Sequence, residues 1–251
     1  MALACVISLL IGAFVGVLGG KKLFALVSLT ATPAPTPTLT PTNQISILLI
    51  GVDSLTSRTP NLESCWVLTF VPDTNQFFLA GFSPMTSVQL KPGEPAQYLK
   101  DIYATDLGLN DGDSSLTRSA VHIYSSGSPT PKAEVVFDRE MLAVAIDLLG
   151  GVQISGTTLN GSTLLDYYDF IAPEEAQARL KFQRFALEAI VRSAQKVNWS
   201  KPALRAFMAL GQRWNPDQAW FLRLAEAELP LADAEFLFTV APLTLDDDAG
   251  P

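Results

Sequence analysis

The sequence predicts an α/β fold, a three-layer α/β/α sandwich with a central mixed β-sheet, preceded by an N-terminal transmembrane helix. Continuous apolar runs of strand composition alternate with segments of helical spacing, which is the pattern of a sheet covered by helices. The first 29 residues are almost entirely apolar or small, and a segment rich in Pro and Thr separates them from the remainder. These observations together indicate one anchored domain.

The composition excludes several classes of protein. Of the 251 residues, 48% are hydrophobic and only 17% are charged, so the chain can bury a sizeable core. The net charge is -8 and no block of Lys or Arg occurs, which argues against nucleic acid as a partner. The two cysteines, Cys5 and Cys65, lie far apart and provide no disulfide framework.

Residues 1–29 are predicted to form a transmembrane anchor. The apolar run Ala2–Leu18 is near the lower length limit for a membrane span, and Leu23–Leu29 extends it beyond Lys21 and Lys22. The positive-inside rule alone would place the following domain in the cytoplasm because the lysines follow the apolar run. A cleaved signal peptide and a lipidated Cys5 are the alternatives.

Residues 30–44 are predicted to form a linker. Thr30–Thr42 reads TATPAPTPTLTPT, which favours extended polyproline-like geometry. Such a spacer lifts a domain away from a bilayer surface, so it favours an extracytoplasmic domain on a single-pass membrane protein over the cytoplasmic alternative.

Residues 45–245 are predicted to form the folded domain, and residues 246–251 an acidic tail. Ile45–Val52 is a continuous apolar run, typical of a strand buried on both faces. Ser64–Val71 and Phe77–Phe82 flank the turn residues Pro72–Asn75 and predict a hairpin. The later predicted elements are helices over Ala96–Leu107 and Leu116–Tyr124, a strand over Ala133–Phe137, a helix capped by Asp138 and ended by Gly150 and Gly151, a strand over Val152–Ile154, a long helix from Pro173 to about Lys196, helices over Pro202–Gln212 and Pro216–Glu228, and a strand over Glu235–Val240.

Blocks of residues in a fixed order resemble the LytR-CpsA-Psr family of bacterial cell-envelope proteins. The blocks are ILLIGVDS from Ile47, ESCWVLTFVPDTNQFFLAGFSP from Glu63, AEVVFDREMLAVAIDLLGGVQI from Ala133, LNGSTLLDYYDF from Leu159 and RLKFQRFALEAI from Arg179. The resemblance covers residues 45–196 and leaves residues 197–245 as a helical C-terminal extension.

The resemblance implies an extracytoplasmic phosphotransferase at the bacterial cell membrane. Members of this family, also called cell envelope-related transcriptional attenuators, move an anionic glycopolymer from a polyprenyl-pyrophosphate lipid onto peptidoglycan with the help of a divalent metal such as Mg²⁺. Such chemistry requires carboxylates for a hard cation and arginines for the pyrophosphate. The implied partners are the membrane, the polyprenyl-linked glycopolymer and peptidoglycan.

The resemblance also implies a set of site residues. Asp53 and Glu63 match the family's metal-binding acids, although Asp53 could instead cap a turn and Glu63 could be a strand-edge charge. Arg179 and Gln183 match catalytic residues, whereas Phe182 stands where the family has a second Arg. Where the family has Ile-Pro-Arg-Asp-Thr, this chain has Ser83-Pro84-Met85-Thr86-Ser87, and two charges are missing.

Other cations could replace those that are missing. Arg58 is a candidate for the catalytic set, and Arg184 and Phe182 are candidates for ligand binding. The aromatic and aliphatic residues of the long helix, Phe182 among them, either pack on the sheet or line a channel for the lipid. The single histidine, His122, is interpreted as structural.

Three functions remain open from the sequence. The first is a divergent family member that binds a polyprenyl-phosphate-linked glycopolymer with weak or no transferase activity. The second is an active phosphotransferase whose cations come from Arg58 or Arg184. The third is a non-enzymatic envelope scaffold that binds a protein through the helices between residues 202 and 228.

Overall fold

The structure is a computed structural model that describes residues 44–109, 114–124, 130–196 and 234–241. The predicted anchor, almost all of the predicted linker, the two helices predicted between residues 202 and 228, and the acidic tail lie outside these residues. None of the helices in the described ranges has the length and apolar character needed to span a bilayer.

The described elements alternate between strands and helices along the chain, as the sequence predicts. The strands are β1 (Ile45–Val52), β2 (Leu62–Val71), β3 (Gln76–Phe82), β4 (Ser87–Val88), β5 (Gln97–Tyr98), β6 (Ala133–Asp138), β7 (Val152–Ile154), β8 (Thr157–Leu159) and β9 (Glu235–Val240). The helices are α1 (Leu99–Leu109), α2 (Ser115–Tyr124), α3 (Arg139–Leu148), α4 (Gly161–Asp169) and α5 (Ala176–Ala194).

A five-stranded mixed sheet with the order β6-β1-β2-β3-β9 forms the centre of the domain. The three central strands are antiparallel to one another, so β2 and β3 form the predicted hairpin. The two outer strands are parallel to their neighbours, β6 to β1 and β9 to β3. Strand β9 is contributed by residues beyond the range of the family resemblance.

Separate hydrophobic cores cover the two faces of this sheet. Alternate residues of β1 point to opposite faces: Ile47 and Leu49 pack in one core, and Leu48 and Ile50 pack in the other. Helices α3, α4 and α5 cover the first face, whereas α1 and α2 cover the second. The three-layer α/β/α arrangement with a mixed central sheet is therefore confirmed, and β1 is buried on both faces.

Local signals position helix α3 at the end of β6. The carboxylate of Asp138 accepts a hydrogen bond from the backbone N–H of Met141, so Asp138 is the predicted N-cap. Gly150 and Gly151 follow the helix with φ of 78° and 89°, a backbone region that favours glycine.

Several boundaries differ from the sequence-based expectations. The long helix α5 begins at Ala176 instead of Pro173, because residues 173–175 form a turn in which Glu175 N–H donates to Ala172. Residues 97–98 pair as a strand with β4, so α1 begins at Leu99 instead of Ala96. The short strands β4, β5 and β8 and the helix α4 are not among the elements derived from sequence periodicity.

An apolar cavity with a charged end

An open apolar cavity lies between the sheet and the layer formed by α3, α4 and α5. It encloses about 750 Å³ of atom-free space, part of which is open to solvent. The lining residues are Leu49, Gly51, Val52, Glu63, Ser64, Trp66, Phe137, Asp138, Arg139, Leu142, Leu164, Leu165, Tyr168, Phe182, Gln183, Ala186, Leu187 and Ile190.

The polar lining residues come together because the last residues of β1 and β6 and the first residues of β2 lie at the same end of the sheet. The last residue of β1, Val52, pairs with Leu62 at the start of β2 and with Asp138 at the end of β6. Glu63 and Arg139 are the neighbours of these paired positions in the sequence, so the fold brings them to the same end of the cavity. The remaining wall is apolar.

The guanidinium of Arg139 binds two carboxylates at this end. Its Nε and Nη2 atoms donate to Glu63 at 2.8 and 2.7 Å, which makes the pair bidentate. Its Nη1 atom lies 2.8 Å from the nearer carboxylate oxygen of Asp169, at the end of α4. The hydrogen bonds that Arg139 donates to Glu63, and the negative charge of Glu63, raise the pKa of Arg139, so the guanidinium remains charged throughout the physiological range.

Tyr168 joins this network to helix α5. The guanidinium carbon of Arg179 lies 4.7 Å from the centre of the Tyr168 ring, and that of Arg139 lies 5.7 Å from it, both within cation–π range. Arg179 also donates from Nε to the backbone carbonyl of Ile171 at 2.9 Å. Burial raises the pKa of Tyr168 despite the nearby Arg179, so its hydroxyl is neutral at pH 7.

The amide of Gln183 completes the polar end of the cavity. Its Nε2 atom donates to the backbone carbonyl of Glu63 and to the Tyr168 hydroxyl oxygen, both at 3.0 Å. The carbonyl acceptor of Glu63 defines which way the amide points, because only nitrogen can donate to it. The Oε1 atom of Gln183 is buried and has no hydrogen-bond partner among the described residues.

Asp53 organises the loop between β1 and β2. Its Oδ1 atom accepts from the backbone N–H groups of Ser54 and Asn61, at 2.7 and 2.9 Å, and its Oδ2 atom accepts from the Asn61 amide at 2.7 Å. Burial alone would raise the pKa of Asp53, but these hydrogen bonds outweigh burial and lower it below its ordinary value. The geometry is that of a loop cap.

The structure brings together some of the residues singled out in the sequence and separates others. Glu63, Phe182 and Gln183 line the cavity, and Arg179 lies beside it on the Tyr168 ring. Phe182 therefore faces the cavity and also packs against the core. The side chain of Arg58 is exposed, and Arg184 pairs with Glu188 at 2.9 Å along the helix, so neither lines the cavity.

The described residues offer a poor fit for the Mg²⁺ that the resemblance implies. No group of three or more potential ligands, counting carboxylate, His and Cys side chains, occurs in the ranges that the structure describes. Both oxygens of Asp53 accept N–H groups, and both oxygens of Glu63 accept the Arg139 guanidinium. A metal would therefore compete with N–H donors for the oxygens of both carboxylates.

Residues of the polar end that sequence reasoning missed are Arg139, Tyr168 and Asp169. Each lies within a block that carries the family resemblance, but the blocks alone give no reason to select them. A signal for Arg139 was present, since it directly follows the predicted cap Asp138 at the end of a strand. Recognising it requires the pairing of β1 with both β2 and β6.

These features define a class: an α/β/α sandwich in which one helical layer covers an open apolar cavity with ionic side chains at its outer end. Solved structures share this fold. The chain is 14% identical to a protein from Streptococcus agalactiae, with a TM-score of 0.59, and the match covers 79% of this chain and 77% of that one. It is 16% identical to the Bacillus subtilis protein ywtF, a putative transcriptional regulator, with a TM-score of 0.58 and coverage of 79% and 78%.

A third similar structure is that of TagT bound to LI-WTA, at 16% identity and a TM-score of 0.56, with 78% of each chain covered. The structures similar to this chain are LytR-CpsA-Psr proteins, so the resemblance recognised in the sequence is confirmed at the level of the fold. No protein-family model matches the sequence, and no curated protein matches it significantly.

Proposed function

We propose that this chain is a divergent LytR-CpsA-Psr-type cell-envelope protein that binds a polyprenyl-phosphate-linked glycopolymer and has weak or no transferase activity. The lipid chain would occupy the apolar cavity, and the polar head would lie at the end formed by Glu63, Arg139 and Gln183. The observation that carries the proposal is the cavity itself, whose wall is apolar except at one end. A long hydrocarbon attached to a polar head matches that distribution.

The structural neighbours support the choice of ligand. TagT has the same fold and is bound to LI-WTA, a wall teichoic acid ligand, in its solved structure. We propose by analogy that the partners of this chain are an envelope glycopolymer, its lipid carrier and peptidoglycan. We also propose that residues 1–29 anchor the domain on the extracytoplasmic side of the bacterial membrane, where these partners occur.

The charges at the polar end support weak or absent transfer. A transferring pyrophosphate requires several cations that are free to bind it. Arg139 is already bound by two carboxylates, and the Arg179 side chain binds the carbonyl of Ile171 and the Tyr168 ring. Thr86, at a position where the family has an acid, is a fully buried hydroxyl residue.

An active phosphotransferase is the second candidate, and one observation favours it. Arg139 places a guanidinium at the polar end that the family blocks do not predict, and together with Arg179 it gives two cations around Tyr168. If these two arginines replace the missing charges, transfer would occur without Arg58 or Arg184.

One experiment separates binding from transfer. The full-length chain in nanodiscs is incubated with a labelled polyprenyl-pyrophosphate-linked glycan, with and without Mg²⁺, and binding and phosphate release are measured separately. We expect binding without release. Ala186→Phe fills the cavity wall and should abolish binding, whereas Lys181→Phe, on the exposed side of the same helix, should leave binding intact.

The other outcomes identify the competing functions. Release that depends on Arg139 would establish the active transferase. Absence of binding by the correctly folded wild-type chain would refute both proposals and leave the scaffold, whose predicted helices lie outside the described residues.

A further inference from the structure

We infer that the carboxylate of Asp169 occupies the site on Arg139 at which a ligand group with a single negative charge binds. The polar end would therefore select a lipid joined to its glycan through one phosphodiester and would bind a diphosphate more weakly. This inference rests on the proposed function, because it assumes that the cavity holds the lipid chain. It differs from the resemblance, which implies a pyrophosphate lipid, in the charge of the head group.

The donors of Arg139 are divided between two unequal partners. Glu63 receives two parallel hydrogen bonds, from Nε and Nη2, and only 20% of its side chain is exposed. Asp169 accepts a hydrogen bond from the remaining nitrogen, Nη1, and 49% of its side chain is exposed. Exposed ion pairs contribute little because water solvates the separated charges well.

Asp169 is accordingly the partner that an incoming anion can replace. Leaving Arg139 returns its half-exposed carboxylate to water, whereas displacing Glu63 would break a bidentate pair and strand a largely buried charge. A phosphodiester carries one negative charge, as Asp169 does. The exchange therefore preserves the charge bound to Arg139 and needs no additional cation.

A diphosphate would bring excess negative charge to the same position. The carboxylates of Glu63 and Asp138 remain at this end of the cavity after Asp169 has left. Asp138 already accepts backbone N–H groups from Leu55 and Met141, at 3.0 Å each, and stays in place as the cap of α3. The second charge of a diphosphate would be repelled by these acids.

Gln183 independently indicates the kind of group that is joined to the phosphate. Its buried Oε1 atom has no hydrogen-bond partner among the described residues, and a buried acceptor without a donor is unfavourable. Its Nε2 atom is bonded to the backbone of Glu63, the residue that holds Arg139. A sugar hydroxyl next to the phosphodiester would donate to Oε1, which fits a glycan-bearing lipid.

The test compares three probes with the same C15 isoprenoid chain: farnesol, methyl farnesyl phosphate, which carries one negative charge, and the terminal methyl ester of farnesyl diphosphate, which carries two. Affinities for the full-length chain in nanodiscs are measured by calorimetry at pH 7, after subtraction of empty nanodiscs. We expect the phosphodiester to bind about tenfold more tightly than the diphosphate, the size of effect that one unfavourable charge contact produces near a protein surface.

Variants test whether Asp169 is the group that the ligand replaces on Arg139. Asp169→Asn should tighten binding of both anionic probes by a similar factor, because neither then has to displace a carboxylate, while farnesol binding stays unchanged. Asp166→Asn removes the same charge from an exposed position on the same helix and is the matched control. Tighter binding of the diphosphate than of the diester by the wild-type chain, or equal effects of the two variants, would overturn the inference.

Farnesol distinguishes failure of the inference from failure of the proposed function. If farnesol binds and Ala186→Phe abolishes that binding, the cavity holds the chain, and a missing preference for the diester refutes only the inference. If no probe binds, both the proposed function and the inference are refuted.

Discussion

Arg139 is the residue on which the ionic network at the cavity end depends. It follows the cap Asp138 at the start of α3 and connects β2, through Glu63, to α4, through Asp169. The 30% exposure of its side chain places it between a surface and a buried ion pair. Removing its side chain should therefore lower the stability of the domain more than removing an exposed cation does.

Replacing Arg139 by Gln should lower the free energy of unfolding by about 1–3 kcal/mol, because the partly buried carboxylate of Glu63 loses its bidentate partner. Urea denaturation of the full-length chain measures the change. The matched control is Arg192→Gln, since the Arg192 side chain is 66% exposed and pairs with Glu188 along α5. The control should cost about 0.5 kcal/mol or less, and equal losses would contradict the importance of the network.

The lowered pKa of Asp53 predicts how the free energy of unfolding changes with pH. Hydrogen bonds from Ser54 and Asn61 depress its pKa in the folded state, so its stabilising contribution is present above the unfolded pKa and is lost as the pH falls through the folded value. Asp53→Asn should cost about 1 kcal/mol or less at pH 7, since solvent screens this loop, and the difference should shrink as the pH falls below the ordinary pKa of 3.8 and vanish below the lowered pKa of the folded state.

Unfolding curves of the wild-type chain and Asp53→Asn at several pH values test this dependence. A difference that grows as the pH falls would contradict the role of the ionised carboxylate as a loop cap. Capping of the loop is sufficient to explain the hydrogen bonds of Asp53.

At the scale of elements, helix α4 depends on a glycine that allows close approach to α3. A Cβ atom built on Gly161 would lie 2.2 Å from the backbone oxygen of Ala143 and 2.3 Å from its Cα atom. The N–H of Gly161 donates to Asp147 of α3 at 2.7 Å, and Asn160 caps the helix. This contact positions Tyr168 at the cavity and Asp169 against the guanidinium of Arg139.

Substituting Gly161 by Ala should destabilise the domain by about 1–3 kcal/mol, because backbone atoms must move to admit the methyl group. Gly108→Ala is the control, since Gly108 is also helical and a methyl group added there would meet open space. There the substitution should stabilise by up to about 1 kcal/mol through helix propensity. Thermal unfolding measures both, and a neutral Gly161→Ala would contradict tight packing of α3 against α4.

At the scale of the whole molecule, the sheet includes a strand that lies far along the chain from its neighbour. Strand β9 pairs in parallel with β3, and Phe236 stacks on Phe77 with ring centres 4.8 Å apart. Residues 234–240 therefore contribute to the same core as the family-like region. Folding should be cooperative across both parts.

Phe236→Ala should lower the stability of the whole domain by about 2–4 kcal/mol, because a stacked and partly buried ring is removed from the core. Leu237→Ala, an exposed neighbour on the same strand, should change it by about 0.5 kcal/mol or less. Trp fluorescence and circular dichroism followed during denaturation should shift together for Phe236→Ala. A Phe236→Ala chain as stable as the wild type would show that the packing of β9 does not contribute to the stability of the core.

The layered fold was predictable because strand and helix periodicity are local properties of the chain. The apolar run of β1, the hairpin turn before β3 and the cap at Asp138 each follow from neighbouring residues. Helix α4 was harder to predict from its periodicity, since its first turn depends on the contact of Gly161 with α3. The start of α5 after Pro173 likewise depends on the preceding turn.

The candidate site was predictable only in part. Glu63, Phe182 and Gln183 were recognised through the family resemblance and do line the cavity. Arg58 and Arg184 were chosen for their charge, but charge does not specify direction: one side chain is exposed, and the other pairs along its own helix. Arg139 and Asp169 required knowledge of which strand and helix ends meet.

The amino-acid sequence by itself determined the alternation of strands and helices, the two buried faces of β1 and the absence of the family's Arg-Asp pair, because these depend on residue type and order. The tertiary structure alone decided which charges meet. Glu63, Arg139 and Asp169 lie far apart in the chain, and the pairing of β1 with two neighbours and the packing of α4 on α3 bring them within hydrogen-bonding distance. Electrostatic interactions act through space, so their partners are set by the fold.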